Sequence, residues 1–185
     1  MTTLSPAERA ALLGVARGAV LAHLGVAPGP ALPEAGALGE ERGAFVSLYV
    51  GGELRGCIGT FRPAGTLAAT VARMAVAAAS EDPRFPALRA DEVKDLSIAV
   101  SALAPSRRLA DPRREVEVGR HGLVVKKGWN RGALLPRVAA EHGWDAETFL
   151  GQTCLKAGLP PSAWKDPDCE VEGFEAEEFG EGQEA

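Results

Sequence analysis

Several signatures are missing from this chain, and each absence removes a class of function. Its 185 residues contain three cysteines, Cys57, Cys154 and Cys169. They form no CxxC pair and leave one over, which argues against a disulfide framework and for a reduced, cytoplasmic chain. Three histidines occur without an HxxxH or HExxH spacing or a carboxylate cluster, so no metal site is expected. There is no GxxxxGK[ST] and no GxGxxG opening a helix after a strand, so neither pattern of nucleotide binding is present and no cofactor is expected. The longest apolar run, "TLAATVARMAVAAA", is interrupted by Arg73 and too short to span a bilayer. "MTTLSPAERAALLG" lacks the basic-then-apolar order of a secretory signal. No period repeats along the chain.

Basic excess is also missing. The formal charge is -5, but residues 170–185 hold seven glutamates and no lysine or arginine. Subtracting those seven from the 25 acidic residues leaves 18 against 20 basic ones, a body near +2. The acidity therefore belongs to a C-terminal strand and tail. A general nucleic-acid binder would show the opposite balance. The arginine-bearing segment "SRRLADPRREVEVGR" interleaves with Asp111, Glu115 and Glu117 and has no aromatic neighbours for base stacking.

What is present is a mixture of hairpin and helix signals. "SPAE" at Ser5–Glu8 is a capping box with proline at the first helical position, predicting a helix over 5–24. "GAFVSLYV" and "LRGCIG" read as strands joined at Gly51-Gly52. Apolar spacing predicts a helix from Thr66 to about Ala79 with Leu67, Val71, Met74, Ala75 and Ala78 buried. "RADEVKDL" suits a short helix, "LSIAVSAL" a buried strand, and 105–120 a loop or short helix. "HGLVVKKGWNRGALLP" predicts a second hairpin turning at Gly128–Asn130. Short helices follow Pro136 and Asp145, the latter stopping at Gly158, and 169–179 forms a last strand. Hairpins mixed with helices favour α+β, with a largely antiparallel sheet flanked by helices. The length suits a single domain over 1–185 with a larger and a smaller lobe, the helix 5–24 and the tail 180–185 being peripheral.

The chemistry concentrates at "ELRGCIGT", residues 53–60. Strand alternation places Arg55 and Cys57 on one face, about 7 Å apart along the backbone, where a guanidinium can favour a thiolate. The flanking glycines either let a ligand approach the backbone or serve a bulge and close packing. "DPRFP", residues 82–86, presents Arg84, whose planar fork suits a carboxylate or phosphate or pairs with a local acid. His121 is the candidate base for Cys57, and a lone histidine at a strand start also serves structure. Lys156 either binds an anion near a helix end or complements the helix dipole. Trp129, at a hairpin tip, is a natural partner anchor if exposed.

"LRGCIGT", "AAASEDPRFPAL", "LSIAVSAL", "VGRHGLVVKKG", "GALLPRVAAEHGWDAETFL" and "TCLKAGLPPSAW" together resemble the AMMECR family. That family is named from a human chromosomal deletion region. In bacteria and archaea it is also called protein A of the AmmeMemoRadiSam system. The resemblance covers roughly residues 40–179. It implies one α+β unit with a smaller lobe against a larger one, and a functional link to a Memo-like protein and a radical SAM protein. No activity is settled for the family. Its candidate site residues carry over to Arg55, Gly56, Cys57 and Gly59. Three functions are carried forward: an accessory or binding component for those partners, an enzyme using Cys57 as nucleophile or redox thiol, and a nucleic-acid-associated regulatory factor. Catalytic candidates are Cys57, Arg55 and His121; ligand-binding candidates are Gly56, Gly59, Arg84 and Lys156. A homo-oligomer is compatible with all three.

Overall fold

A computed structural model describes residues 3–182. They divide into two compact units, a larger one of residues 3–103 with 177–182 and a smaller one of residues 104–176. The expected α+β class and antiparallel strand pairing hold. Of the predicted peripheral tail, residues 183–185 lie outside the described residues.

The larger unit starts with α1, Pro6–His23, whose predicted capping box forms between Ser5 and Glu8. Strands β1 (Ala44–Val50) and β2 (Glu53–Thr60) are joined through Gly51 and Gly52, with φ of 61° and 85°. A type I′ turn requires positive φ at both central positions, which glycine accepts without strain. Helix α2 (Leu67–Ser80) begins at Thr66, whose hydroxyl accepts from the Ala69 N–H, and β3 (Leu96–Leu103) follows a 3-10 turn over Ala90–Asp95. The hydrogen-bonded order is β2-β1-β3, both pairings antiparallel, so β2 is an edge strand. Ala44, Val46 and Leu48 alternate onto one face of β1 and are fully buried. They join Leu12, Val20, Leu67, Val71 and Ala75 of the two helices in one apolar cluster. A fully buried Leu or Val stabilises by roughly 1.5–3 kcal/mol, so this layer holds α1 and α2 against the sheet. α1 therefore contributes Leu12, Val15, Ala16, Ala19 and Val20 to the core.

In the smaller unit β4 (Arg107–Arg108) and α3 (Pro112–Glu115) occupy the segment read as loop or short helix. β5 (His121–Lys127) and β6 (Asn130–Leu134) form the second hairpin, and α4 (Pro136–Glu141) and α5 (Ala146–Lys156) follow. β7 spans Glu170–Gly180; residues 170–176 belong here, pairing antiparallel with β5 and β4, and 177–180 belong to the larger unit. Leu123, Val125, Phe149, Leu150, Cys154 and Val171 form the core. Gly132 is fixed by packing, since a Cβ there would stand 2.4 Å from the Ala157 nitrogen of α5.

Four of the five glutamates of β7, and Glu181 beyond it, are matched by cations. In the smaller unit Glu170 pairs with Arg108, Glu172 with Lys126 and Glu175 with Arg120. In the larger, Glu177 meets Arg9 and the buried Arg42, and Glu181 meets Arg17. Among the described residues no helix is long and apolar enough to cross a membrane.

Candidate functional site

β2 is an edge strand, so its outward N–H and C=O groups need partners other than a neighbouring strand. Cys57 lies directly opposite Ser47 of β1. Its N–H turns away from β1 and donates to Asp82 Oδ2 at 2.9 Å, and its carbonyl accepts from Arg84 Nη2 at 3.5 Å. A pair whose backbone groups face outward is the closely spaced kind, which brings the side chains together. The Ser47 hydroxyl accordingly donates to Cys57 Sγ at 3.2 Å. Ser47 is buried and Cys57 partly exposed.

Asp82 is the residue that builds this edge. It is 4% exposed and accepts from Arg84 Nε at 2.9 Å and Nη2 at 2.7 Å, and from the Arg84 backbone N–H at 3.1 Å. Arg84, and then the Cys57 N–H, hold its carboxyl well below the usual carboxylate range, outweighing the burial that opposes this. Arg84 is fixed from below by this carboxylate while its side chain stays 58% exposed, with its guanidinium 5.3 Å from the Phe85 ring centre. The "DPR" spacing between prolines was a local signal for this pair. Its junction with Cys57, 25 residues away, carried no sequence signal.

Arg55 is placed differently from the simple alternation. The register shifts between Leu48 and Tyr49, which face Gly56 and Leu54, so Arg55 is the extra residue of a β-bulge. Its guanidinium donates to Glu92 at 2.9 and 3.2 Å and to the carbonyls of Pro86 and Ala87. Arg55 thus ties the 82–92 loop to the strand. This pairing lowers the Glu92 pKa, Arg55 being its largest cause.

The two glycines of the motif have packing reasons. A Cβ on Gly56 would lie 2.0 Å from the Ala78 carbonyl oxygen of α2, and one on Gly59 2.1 Å from the Phe45 ring. Gly56 admits the helix backbone; Gly59 admits an aromatic ring that itself packs edge-on against Phe61 at 5.1 Å.

The structure joins Cys57, Ser47, Asp82 and Arg84 by hydrogen bonds in the larger unit, whereas Arg55 on the same strand spends its guanidinium on Glu92, Pro86 and Ala87, and Gly56 and Gly59 serve packing. His121 and Lys156 belong to the smaller unit. His121 opens β5, is 6% exposed, and its Nδ1 accepts from the Glu117 N–H at 3.1 Å. Lys156 ends α5 and is exposed, with no ion pair among the described residues. The other thiols, Cys154 and Cys169, are buried in the smaller unit's core, and burial pushes both thiols up. Among the described residues no three His, Cys, Asp or Glu side chains are grouped to hold a metal.

Against known proteins, the AMMECR1 family profile matches residues 13–179. A protein of Methanothermobacter thermautotrophicus is 43% identical over 96% of this chain and 96% of its own length. Protein MK0488 of Methanopyrus kandleri is 46% identical over 78% of this chain and 73% of its own. Uncharacterized protein PH0010 from Pyrococcus horikoshii, a crystal structure, superposes with a TM-score of 0.81 at 40% identity, covering 92% of this chain and 90% of that one. The chain belongs to the AMMECR1 family.

Proposed function

We propose that this protein is a cytoplasmic accessory or binding component that acts with Memo-like and radical SAM partners and offers Cys57 as a ligand or thiol site. The supporting observation is the composition of the Cys57 surroundings. The sulfur's partner is a serine hydroxyl, which cannot take a proton at neutral pH. The nearby carboxylates, Asp82 and Glu92, are each bound to an arginine and held below their usual range. General-base catalysis needs a group that titrates near the working pH, and neither carboxylate does. A thiol whose neighbours among the described residues of its own unit include no base that titrates near neutral pH suits capture, modification or contact better than unaided turnover.

A second reading, an enzyme using Cys57 as nucleophile or redox thiol, draws on the partial exposure of Cys57 and on Arg84, whose Nη1 has no partner among the described residues. Nucleic-acid association draws less support. Of the eleven lysines and arginines in residues 104–176, eight are in ion pairs.

The test has two arms. Iodoacetamide labelling with peptide mapping is expected to modify Cys57 in the folded chain, while Cys154 and Cys169 stay protected until unfolding. Sedimentation of the chain with Memo-like and radical SAM proteins of the same organism is expected to show a complex weakened by Cys57→Ser. A Cys57 inert until denaturation, together with no association, would remove the proposal. Turnover by the chain alone, abolished by Cys57→Ser, would favour the enzyme.

A further inference from the structure

The β5–β6 turn carries a feature that folding does not explain. Lys127-Gly128-Trp129-Asn130 closes a two-residue hairpin with Gly128 at φ 58° and Trp129 at negative φ. That is the type II′ arrangement, in which only the first central position needs glycine. The second accepts almost any small polar residue, yet here it holds a tryptophan that is 103% exposed. Its ring packs on none of the described residues.

The turn is tied at both of its flanking residues. Asn130 Nδ2 donates to the Ala157 carbonyl at 2.9 Å, and a Cβ on Gly158 would lie 3.3 Å from that same nitrogen. Lys127 Nζ reaches Asp166 at 2.7 Å and Asp168 at 3.2 Å. The contact with Ala157 brings the end of α5 beside the turn, and with it Leu155, 51% exposed, and Lys156. A tryptophan presented on a fixed turn loses little freedom on binding, and tryptophan is the side chain most enriched at energetic centres of interfaces.

Charge selects the partner. Three of the eleven cations of residues 104–176 lack an ion pair among the described residues: Arg131, Arg137 and Lys156. Two of these, Arg131 and Lys156, flank the turn. Counting Lys126, Lys127, Arg131 and Lys156 against Asp166, Asp168 and Glu172, the last of which attracts both Lys126 and Arg131, leaves the tip with one net positive charge. A second copy of this chain docked across a two-fold axis would set these cations against themselves, which disfavours self-association.

We infer that the Trp129 turn, with Leu155, Arg131 and Lys156, is a docking site for a protein partner that presents an apolar pocket or face rimmed by carboxylates. The inference rests on the accessory reading but not on Cys57. Aromatic anchoring and the unpaired cations then act together: the indole and Leu155 enter the apolar part, and Arg131 and Lys156 meet the rim.

The test uses the full chain and a fluorescein-labelled 16-residue peptide with leucines at helical spacing and glutamates elsewhere. Its controls are the lysine counterpart and a leucine-free glutamate–serine peptide. Anisotropy titration is expected to show binding of the glutamate–leucine peptide alone, weakening as salt rises. Trp129→Ala should weaken it about 30-fold or more, and Arg131→Gln with Lys156→Gln should flatten the salt dependence. Cys57→Ser should bind like the parent, so a failed thiol site and a failed docking site give different results. No binding, equal binding by Trp129→Ala, or equal binding of the lysine peptide overturns the inference. So does a dimer in sedimentation that Trp129→Ala dissolves, which would make the occupant a second copy.

Discussion

Replacing Asp82 by asparagine tests how the edge of β2 is held. The carboxylate is 4% exposed and accepts from the Arg84 guanidinium through two nitrogens and from the Cys57 N–H. Asparagine keeps one acceptor oxygen and turns an NH2 toward a guanidinium. A hydrogen bond to a charged group contributes about 1.5–3 kcal/mol, and breaking a fully buried ion pair costs about 3–5 kcal/mol. Arg84 is 58% exposed and regains water when released, so the expected loss is about 2–3 kcal/mol. For a chain of this size that is a fall in Tm of about 5–10 °C. Urea titration at pH 7 measures it. The pH dependence follows from the direction of the shift. The Asp82 pKa is lowered in the folded chain, so its stabilisation is complete above the unfolded aspartate value of about 3.9. It is lost as pH falls below that value toward the lower folded one. The gap between parent and Asp82→Asn should therefore be equal at pH 7 and pH 5 and shrink below about pH 4. A variant as stable as the parent at pH 7, or a gap unchanged between pH 5 and pH 3, would refute the reasoning.

Gly56→Ala should destabilise by about 3 kcal/mol or more, because its Cβ would meet a backbone carbonyl at 2.0 Å rather than a flexible side chain; thermal unfolding checks this, and a neutral outcome would mean α2 can move off the sheet. Glu177→Gln should cost about 2–4 kcal/mol in urea titration, since it leaves Arg42, 1% exposed, without its carboxylate; an unchanged midpoint would show that Arg42 finds other compensation.

The larger part of the fold was legible because its signals are local. Gly51-Gly52, Ser5 with Glu8, and the Thr66 cap each act within four residues, and "LSIAVSAL" became β3 over the same residues. A bulge was one reading of the motif's glycines, but its position at Arg55 was not legible. Alternation fixes which residues share a face only while the register is uniform, and a one-residue slip depends on the partner strand. The same limit hid Asp82: its pairing with Arg84 spans two positions, but its role at Cys57 depends on tertiary placement. Gly56 and Gly59 showed as an unusual pair, and only the positions of Ala78 and Phe45 explain why each is glycine.

The acidic last strand has a bearing on how the chain is made. Arg9, Arg17 and Arg42 lie in the first quarter of the sequence, and their carboxylates Glu177 and Glu181 lie within its final nine residues. The smaller unit likewise draws Glu170, Glu172 and Glu175 from the end of the chain. On the ribosome the smaller unit cannot be finished until residue 176 has been made, nor the larger until residue 181, and while β7 is missing Arg42 lacks its carboxylate and β5 lacks its β7 partner. A product that stops before residue 170 lacks the closing element of both, and quality control meets it as an unfolded protein rather than a slightly shortened one.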